Sequence, residues 1–144
     1  MQLFHDYKAK LLPIVWSIFV SVVALVPPLM KSGFPPNHED DTFVLRTMVY
    51  AKHFQFGDLL PIWSASDNFG MGSPLPGLYH RLFYMVSGAI YAVTANSKVS
   101  IAFTLIAFTS IGVYSVFLLL RSFNSTVFVS LLGSSVLPFL NYSV

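Results

Sequence analysis

Residues 11–30, LLPIVWSIFVSVVALVPPLM, form an apolar run without a charged side chain. A helix of about 20 residues rises about 30 Å, which matches the hydrocarbon core of a bilayer. The run ends at Pro27 and Pro28 and lacks the small-x-small site at which signal peptides are cleaved. It therefore predicts a retained first membrane span rather than a cleaved leader.

The overall composition agrees with a membrane protein and argues against other classes. Hydrophobic residues make up 55% of the 144-residue chain, and charged residues make up 10%. The formal net charge is only +2 and no basic cluster occurs, so a nucleic-acid partner is not expected. The sequence contains no cysteine, which excludes disulfides, thiol catalysis and thiolate metal sites.

Three later apolar stretches resemble the first in length. They predict further spans at about 76–95, 99–120 and 126–144, in addition to 11–30. We therefore predict an all-α fold of multi-pass transmembrane helices, about four spans in a single membrane domain over 1–144. Lys8 and Lys10 precede the first span and favour a cytoplasmic N-terminus in a plasma (inner) membrane. The loop 31–75 is then extracytoplasmic.

This outer loop contains the signals of one amphipathic helix. Asn37 is a suitable N-cap and Gly57 a suitable stop for a helix from about Glu39 to Phe56. Its predicted apolar face suits a membrane surface and comprises Leu45, Met48, Val49, Lys52 and Phe56. The following segment, 57–77, is rich in Gly and Pro and predicts a compact, irregular loop.

Three adjacent acids, Glu39, Asp40 and Asp41, stand at the start of this helix. One interpretation is electrostatic, because acids in a first turn interact favourably with the helix dipole. One acid is enough for that role, however, and three neighbouring carboxylates repel each other. The second interpretation makes Asp40 or Asp41 a catalytic base, or makes the acids, with His38, ligands of a divalent metal such as Mg²⁺ or Mn²⁺.

Two arginines and two aromatic residues are candidates for substrate contacts. The guanidinium groups of Arg46 and Arg81 are well shaped to bind a phosphate, but they equally suit an anchor at the lipid interface. Trp63 and Tyr79 have the rings of an interfacial aromatic belt, or of a groove for a lipid or sugar. The sequence alone leaves both alternatives open.

The order of these features resembles the N-terminal part of GT-C type membrane glycosyltransferases. After the acid-bearing loop come G-x-x-x-P-x-W at Gly57–Trp63, G-x-G-x-P at Gly70–Pro74 and Y-x-x-x-x-Y at Tyr79–Tyr84. The similarity covers about residues 10–120. It is closest to membrane proteins described as 6-pyruvoyl-tetrahydropterin-synthase-related and to YfhO-like proteins.

The resemblance implies a cell-envelope enzyme that moves a sugar from a polyprenyl-phosphate donor to a glycan, lipid or protein acceptor. It implies an essential acid in the first outer loop, here Asp40 or Asp41, with Glu39 a weaker candidate. Family members have many more spans, so we expect this chain to be an N-terminal fragment. The alternative from another class is a non-catalytic membrane protein, such as a transport or assembly subunit, or an inactive fragment.

Overall fold

The computed structural model describes the backbone of residues 2–30, 40–65, 67–78 and 81–140. The side chains that it describes lie within 11–30 and 43–140, with those of 28, 66, 68, 75 and 78–80 outside. The helices are α1 (Gln2–Met30), α2 (Asp40–Gln55), α3 (Leu75–Leu78), α4 (Arg81–Thr94), α5 (Ser97–Ser122), α6 (Val127–Ser135) and α7 (Leu137–Leu140). These ranges contain no strand, only one isolated bridge, so the all-α prediction is confirmed.

Only one helix in the described part of the chain is clearly long and apolar enough to cross a membrane. It is α5, with 26 residues, and only 22% of its most apolar 18-residue window is buried. The segments Leu11–Pro27 and Val127–Leu140 are shorter apolar helices. The 14 residues of α4 rise about 21 Å, which is less than the bilayer core. The structure thus supports one span of the four that were predicted.

The predicted fourth span is interrupted rather than continuous. Helix α6 ends at Ser135, and α7 begins at Leu137. Pro138 has no N–H to continue the helical hydrogen bonds, and its ring disfavours the helical backbone before it. The Val136 N–H instead bonds the Gly133 carbonyl at 3.3 Å, in a tighter turn.

The chain divides into two compact units. The terminal unit comprises Met1–Gly33 and Leu105–Val144, and the central unit comprises Phe34–Thr104. In the terminal unit, α1 packs against α6 and α7. The indole Nε1 of Trp16 donates to Ser135 Oγ at 2.9 Å and to the Leu131 carbonyl at 3.3 Å.

In the central unit, α2 packs along α4 at close range. A Cβ placed on Gly88 would come within 3.1 Å of the Ala51 backbone nitrogen and 3.3 Å of the Thr47 carbonyl oxygen. Thr47 and Ser87 share a fully buried hydroxyl–hydroxyl hydrogen bond of 3.1 Å at the same crossing. Small side chains on both helices therefore allow the two backbones to approach.

Many polar side chains are buried and many large apolar ones are exposed, although Val20, Ile101 and Val113 are among the buried residues. Every buried polar side chain among the described residues is a serine or threonine, and most of those in helices bond a carbonyl of the preceding turn. Large apolar side chains are instead exposed on α1, α4, α5, α6 and α7. Small and hydroxyl residues at helix contacts, with apolar residues outside, are typical of packing in lipid.

Candidate functional site

The acids predicted to carry chemistry occupy the start of α2. Asp40 and Asp41 are its first two residues, and their side chains lie outside the described part of the structure. His38, Glu39 and Tyr79 lie wholly outside the described residues. The catalytic role of Asp40 or Asp41 and the metal site over residues 38–41 therefore stay predictions.

One of the two predicted phosphate-binding arginines, Arg46, lies against a pair of stacked tyrosines. The rings of Tyr50 on α2 and Tyr84 on α4 are stacked, with their centroids 6.0 Å apart. The guanidinium carbon of Arg46 lies 5.6 Å from the Tyr84 ring centroid, and its Nη1 donates a long hydrogen bond of 3.4 Å to the Tyr84 hydroxyl. The Tyr50 hydroxyl donates to the Pro76 carbonyl at 2.6 Å, which holds the end of the Gly- and Pro-rich loop against α2.

The electrostatics of Tyr50 reflect its place between the arginines. Burial raises the pKa of the Tyr50 hydroxyl above its ordinary value of 10.0. The positive charges of Arg81 and Arg46 oppose this rise in pKa, while Tyr84 adds to it. The two cations that lower this pKa come from different helices, Arg46 from α2 and Arg81 from α4.

Arg81 has donor capacity that no described side chain takes up. Its Nε is buried without a hydrogen-bond partner among the described residues. The guanidinium lies beside Gly77, since a Cβ there would stand 3.1 Å from Nη2 of Arg81. A buried cationic donor without a partner is costly, and an anion bound next to it would satisfy it.

The motif-bearing loop is compact, as its composition predicts. Ser64 and Ser73 form an antiparallel bridge with N–H···O distances of 2.8 and 2.9 Å. Gly72 has a φ of +83°, and the space that a Cβ would fill there is taken by the Trp63 indole, 2.4 Å away. The requirement for glycine at position 72 is thus both conformational and steric.

Trp63 also lines a cleft, most of whose other residues the sequence did not identify. The cleft has a volume of about 390 Å³ and lies between the end of α2 and the loop. Its wall includes Lys52, His53 and Asp58 beside the indole. His53 Nδ1 lies 2.9 Å from Asp58 Oδ2, and Asp58 Oδ1 accepts the Leu60 N–H at 3.2 Å.

The sequence did not identify the residues that connect the arginines, the stacked tyrosines and the cleft. It placed Lys52 on the face predicted for a membrane surface, used Tyr84 only in the Y-x-x-x-x-Y motif, and gave no role to Tyr50 or Asp58. The spacing of Arg46 and Tyr50, four apart on one helix, placed them on one face, but nothing in the sequence indicated that α4 packs there. Only the contact between α2 and α4 brings Arg46 next to Tyr84.

Over the residues that the structure describes, the protein is helical with one candidate membrane span, and its central unit holds Arg46 and Arg81 on two helices that pack together. No protein-family model, curated protein or solved structure matches the chain.

Proposed function

We propose that this chain is the N-terminal part of a multi-pass, GT-C type glycosyltransferase of the plasma (inner) membrane. It moves a sugar from a polyprenyl-phosphate donor to an extracytoplasmic glycan, lipid or protein acceptor. The observation that carries the proposal is the placement of Arg46 against the Tyr84 ring of α4, the helix that begins at Arg81, whose Nε is buried with no partner among the described residues. The ordered motifs between Gly57 and Tyr84 support the same class.

The arginines suit the leaving group of such a reaction. When the acceptor hydroxyl attacks the anomeric carbon, the bond from that carbon to the phosphate oxygen breaks and its electron pair stays on the phosphate. Two guanidinium groups at that position stabilise the charge that develops. The neighbouring hydroxyl of Tyr84, already in contact with Arg46, provides a further polar group.

The acceptor hydroxyl is activated by residues in the first turn of α2. In this proposal Asp40 or Asp41 takes the proton that the acceptor hydroxyl loses. Asp41 precedes Arg46 by five residues, a rise of about 7.5 Å along α2, so a base and a phosphate ligand fit on one short segment. A divalent cation held by residues 38–41 remains part of the prediction and is not needed for this step.

The apolar exterior supports the membrane location. The exposed leucines, valines and phenylalanines of α1, α5 and α6 require an apolar environment, and a lipid-linked donor is met in one. The predicted topology has the N-terminus in the cytoplasm and loop 31–75 outside, with membrane lipid as a constant partner.

Transfer assays with arginine variants test this proposal. The full-length parent protein that contains this chain is reconstituted in lipid with a radiolabelled polyprenyl-phosphate-linked sugar, and transfer and donor binding are both measured. Arg46→Gln and Arg81→Gln are expected to weaken donor binding and transfer by at least about tenfold, since each removes a charge-assisted phosphate contact. Arg→Lys variants keep the positive charge but lose the paired N–H donors of the guanidinium group. Their donor binding and transfer should therefore lie between those of the wild type and the Gln variants.

Lys98→Gln is the matched control, because Lys98 is an exposed cation in the same unit. It should leave binding and transfer unchanged. Donor binding that is equal in the wild type and both arginine variants, or transport of a solute without any glycan product, would contradict the proposal and favour the non-catalytic class.

A further inference from the structure

The cleft beside Trp63 has the composition of a ligand site separate from the paired arginines. It combines an aromatic plane with a cation, a carboxylate and an imidazole, the mixture of apolar surface and few polar groups found in small-molecule sites. Its volume of about 390 Å³ is at the lower end of that range. We propose that this cleft binds a neutral saccharide, with one ring on the Trp63 indole.

The indole is held as a rigid platform. Its six-membered ring and Nε1 occupy the space over Gly72, so one side is supported by the loop backbone. The Ser64–Ser73 bridge fixes the two strands of chain that carry Trp63 and Gly72. Trp63 is nevertheless 50% exposed, which leaves surface for a ligand. A flat apolar surface fixed in advance loses little entropy when the C–H face of a sugar ring stacks on it.

The polar groups at the rim favour a neutral polyhydroxyl ligand over an anion. Lys52 and Asp58 carry opposite charges, so these two charges of the cleft offset each other. Asp58 is half exposed and His53 is about a quarter exposed, so their hydrogen-bonded pair remains within reach of a ligand. Together they offer both donors and acceptors to hydroxyl groups.

A second groove in the central unit has a different lining from the Trp63 cleft. It runs along α4 beside Leu59, Leu82 and Met85, and its lining contains no charged side chain. That groove suits an apolar chain, whereas three ionisable groups in the Trp63 cleft would be poorly placed against hydrocarbon. The two surfaces therefore differ in the chemistry that they accept.

Fluorescence titration tests the proposal. The chain has two tryptophans, so Trp16→Phe leaves Trp63 as the only indole. The protein in detergent is titrated with methyl glycosides of glucose, mannose, galactose and N-acetylglucosamine, and with glucose 1-phosphate as an anionic comparison. We expect a saturable change with at least one neutral glycoside at millimolar concentration, and no tighter binding of the phosphate. Calorimetry on the wild type provides the same titration if Trp16→Phe fails to fold.

Two glycines give a matched pair of variants for the calorimetric titration. Gly70 and Gly72 both have positive φ, +88° and +83°, so alanine strains either position. Only at Gly72 does the new Cβ collide with Trp63, since nothing lies within 4 Å of a Cβ at Gly70. Gly72→Ala and Trp63→Ala should weaken glycoside binding about tenfold, and Gly70→Ala should not.

Three outcomes would overturn the proposal. The first is no saturable change in fluorescence with any glycoside, and the second is an equal loss of glycoside binding in Gly70→Ala and Gly72→Ala. The third is quenching of Trp63 fluorescence only by lipids with brominated acyl chains. The last result would place the indole in the bilayer. The test uses free glycosides and no polyprenyl donor, so its failure is distinguishable from failure of the transfer reaction.

Discussion

Gly88 of α4 lies directly against Tyr50 of α2, where a Cβ on the glycine would come within 2.7 Å of the tyrosine Cβ. The Ala51 nitrogen is 3.1 Å from the same point, so neither neighbour is the mobile end of a long side chain. Gly88→Ala is therefore expected to force the helices apart and to lower the free energy of unfolding by about 1–3 kcal/mol. Thermal unfolding in detergent, followed by circular dichroism, measures the change.

Gly112→Ala is the control for this prediction. A Cβ at Gly112 meets only the terminal Cδ2 of Leu137, at 3.2 Å, which can move aside. Alanine should then raise stability by up to about 1 kcal/mol through its helix propensity. Equal effects at the two glycines would show that the α2–α4 contact is not as close as described.

The buried hydroxyl pair Thr47–Ser87 gives a second prediction. Ser87 Oγ also lies 3.4 Å from the Tyr84 carbonyl, so it keeps a partner when Thr47 is replaced by valine. Ser87→Ala instead removes a partner from the fully buried Thr47 hydroxyl, and we expect it to cost about 1–3 kcal/mol, more than Thr47→Val. A double-mutant cycle measured by unfolding should show the double variant to be no less stable than Ser87→Ala alone.

Tyr50 makes stability fall at alkaline pH. The pKa of its hydroxyl is raised above 10.0 in the folded protein, chiefly by burial, so the unfolded chain releases this proton first as pH rises. The Tyr50 contribution is thus fully present below about pH 10 and is lost as pH rises through the folded-state pKa. Tyr50→Phe should lose about 1 kcal/mol at pH 8, through the bond to Pro76, and its deficit should shrink above pH 10. A deficit that stays constant with pH would contradict this.

The acids at the start of α2 give a catalytic prediction. Asp40→Asn and Asp41→Asn, assayed separately for sugar transfer in the reconstituted system, should differ sharply. The variant that loses the general base should be slower by about 10²–10⁴-fold, while the other keeps most of its activity. Full activity in both variants would rule out a catalytic role for either acid.

The topology of α5 is open to a direct labelling experiment. Because the chain has no cysteine, single cysteines at Asn96 and Ser125 flank α5 without background. In the proposed topology Ser125→Cys reacts with a membrane-impermeant maleimide on intact cells, whereas Asn96→Cys reacts only after permeabilisation. Labelling of both sites on intact cells would show that α5 does not span the membrane.

Local features of the fold could be predicted because they depend on local chemistry. The helix expected over about 39–56 is present as Asp40–Gln55, and it ends where Gly57 adopts a φ of +80°. The Gly57 N–H bonds the Phe54 carbonyl and the Asp58 N–H bonds the His53 carbonyl, both at 3.0 Å, so the stop depends on residues within one turn. The compact loop follows in the same way from its glycines and prolines.

The packed face of α2 could not be predicted, because it is not a hydrophobic face. The apolar face was predicted to lie on a membrane surface, and its Leu45 and Phe56 are largely exposed rather than packed on the protein. The structure buries Thr47, Tyr50 and Ala51 instead, since the small residues Ser87 and Gly88 of α4 accept them. Contacts of small and hydroxyl side chains give almost no hydrophobic periodicity, so a single sequence does not reveal which helices meet. The arginine–tyrosine cluster depended on that unknown contact.

The bond from Trp16 to Ser135 separates donor and acceptor by 119 residues. At a synthesis rate of about 5–20 residues per second, the acceptor leaves the ribosome some 6–24 s after the indole. The first helix therefore emerges long before its partner exists and must wait with an unmatched N–H group. Assembly of the terminal unit is therefore delayed, because helices made much later complete the environment of the first.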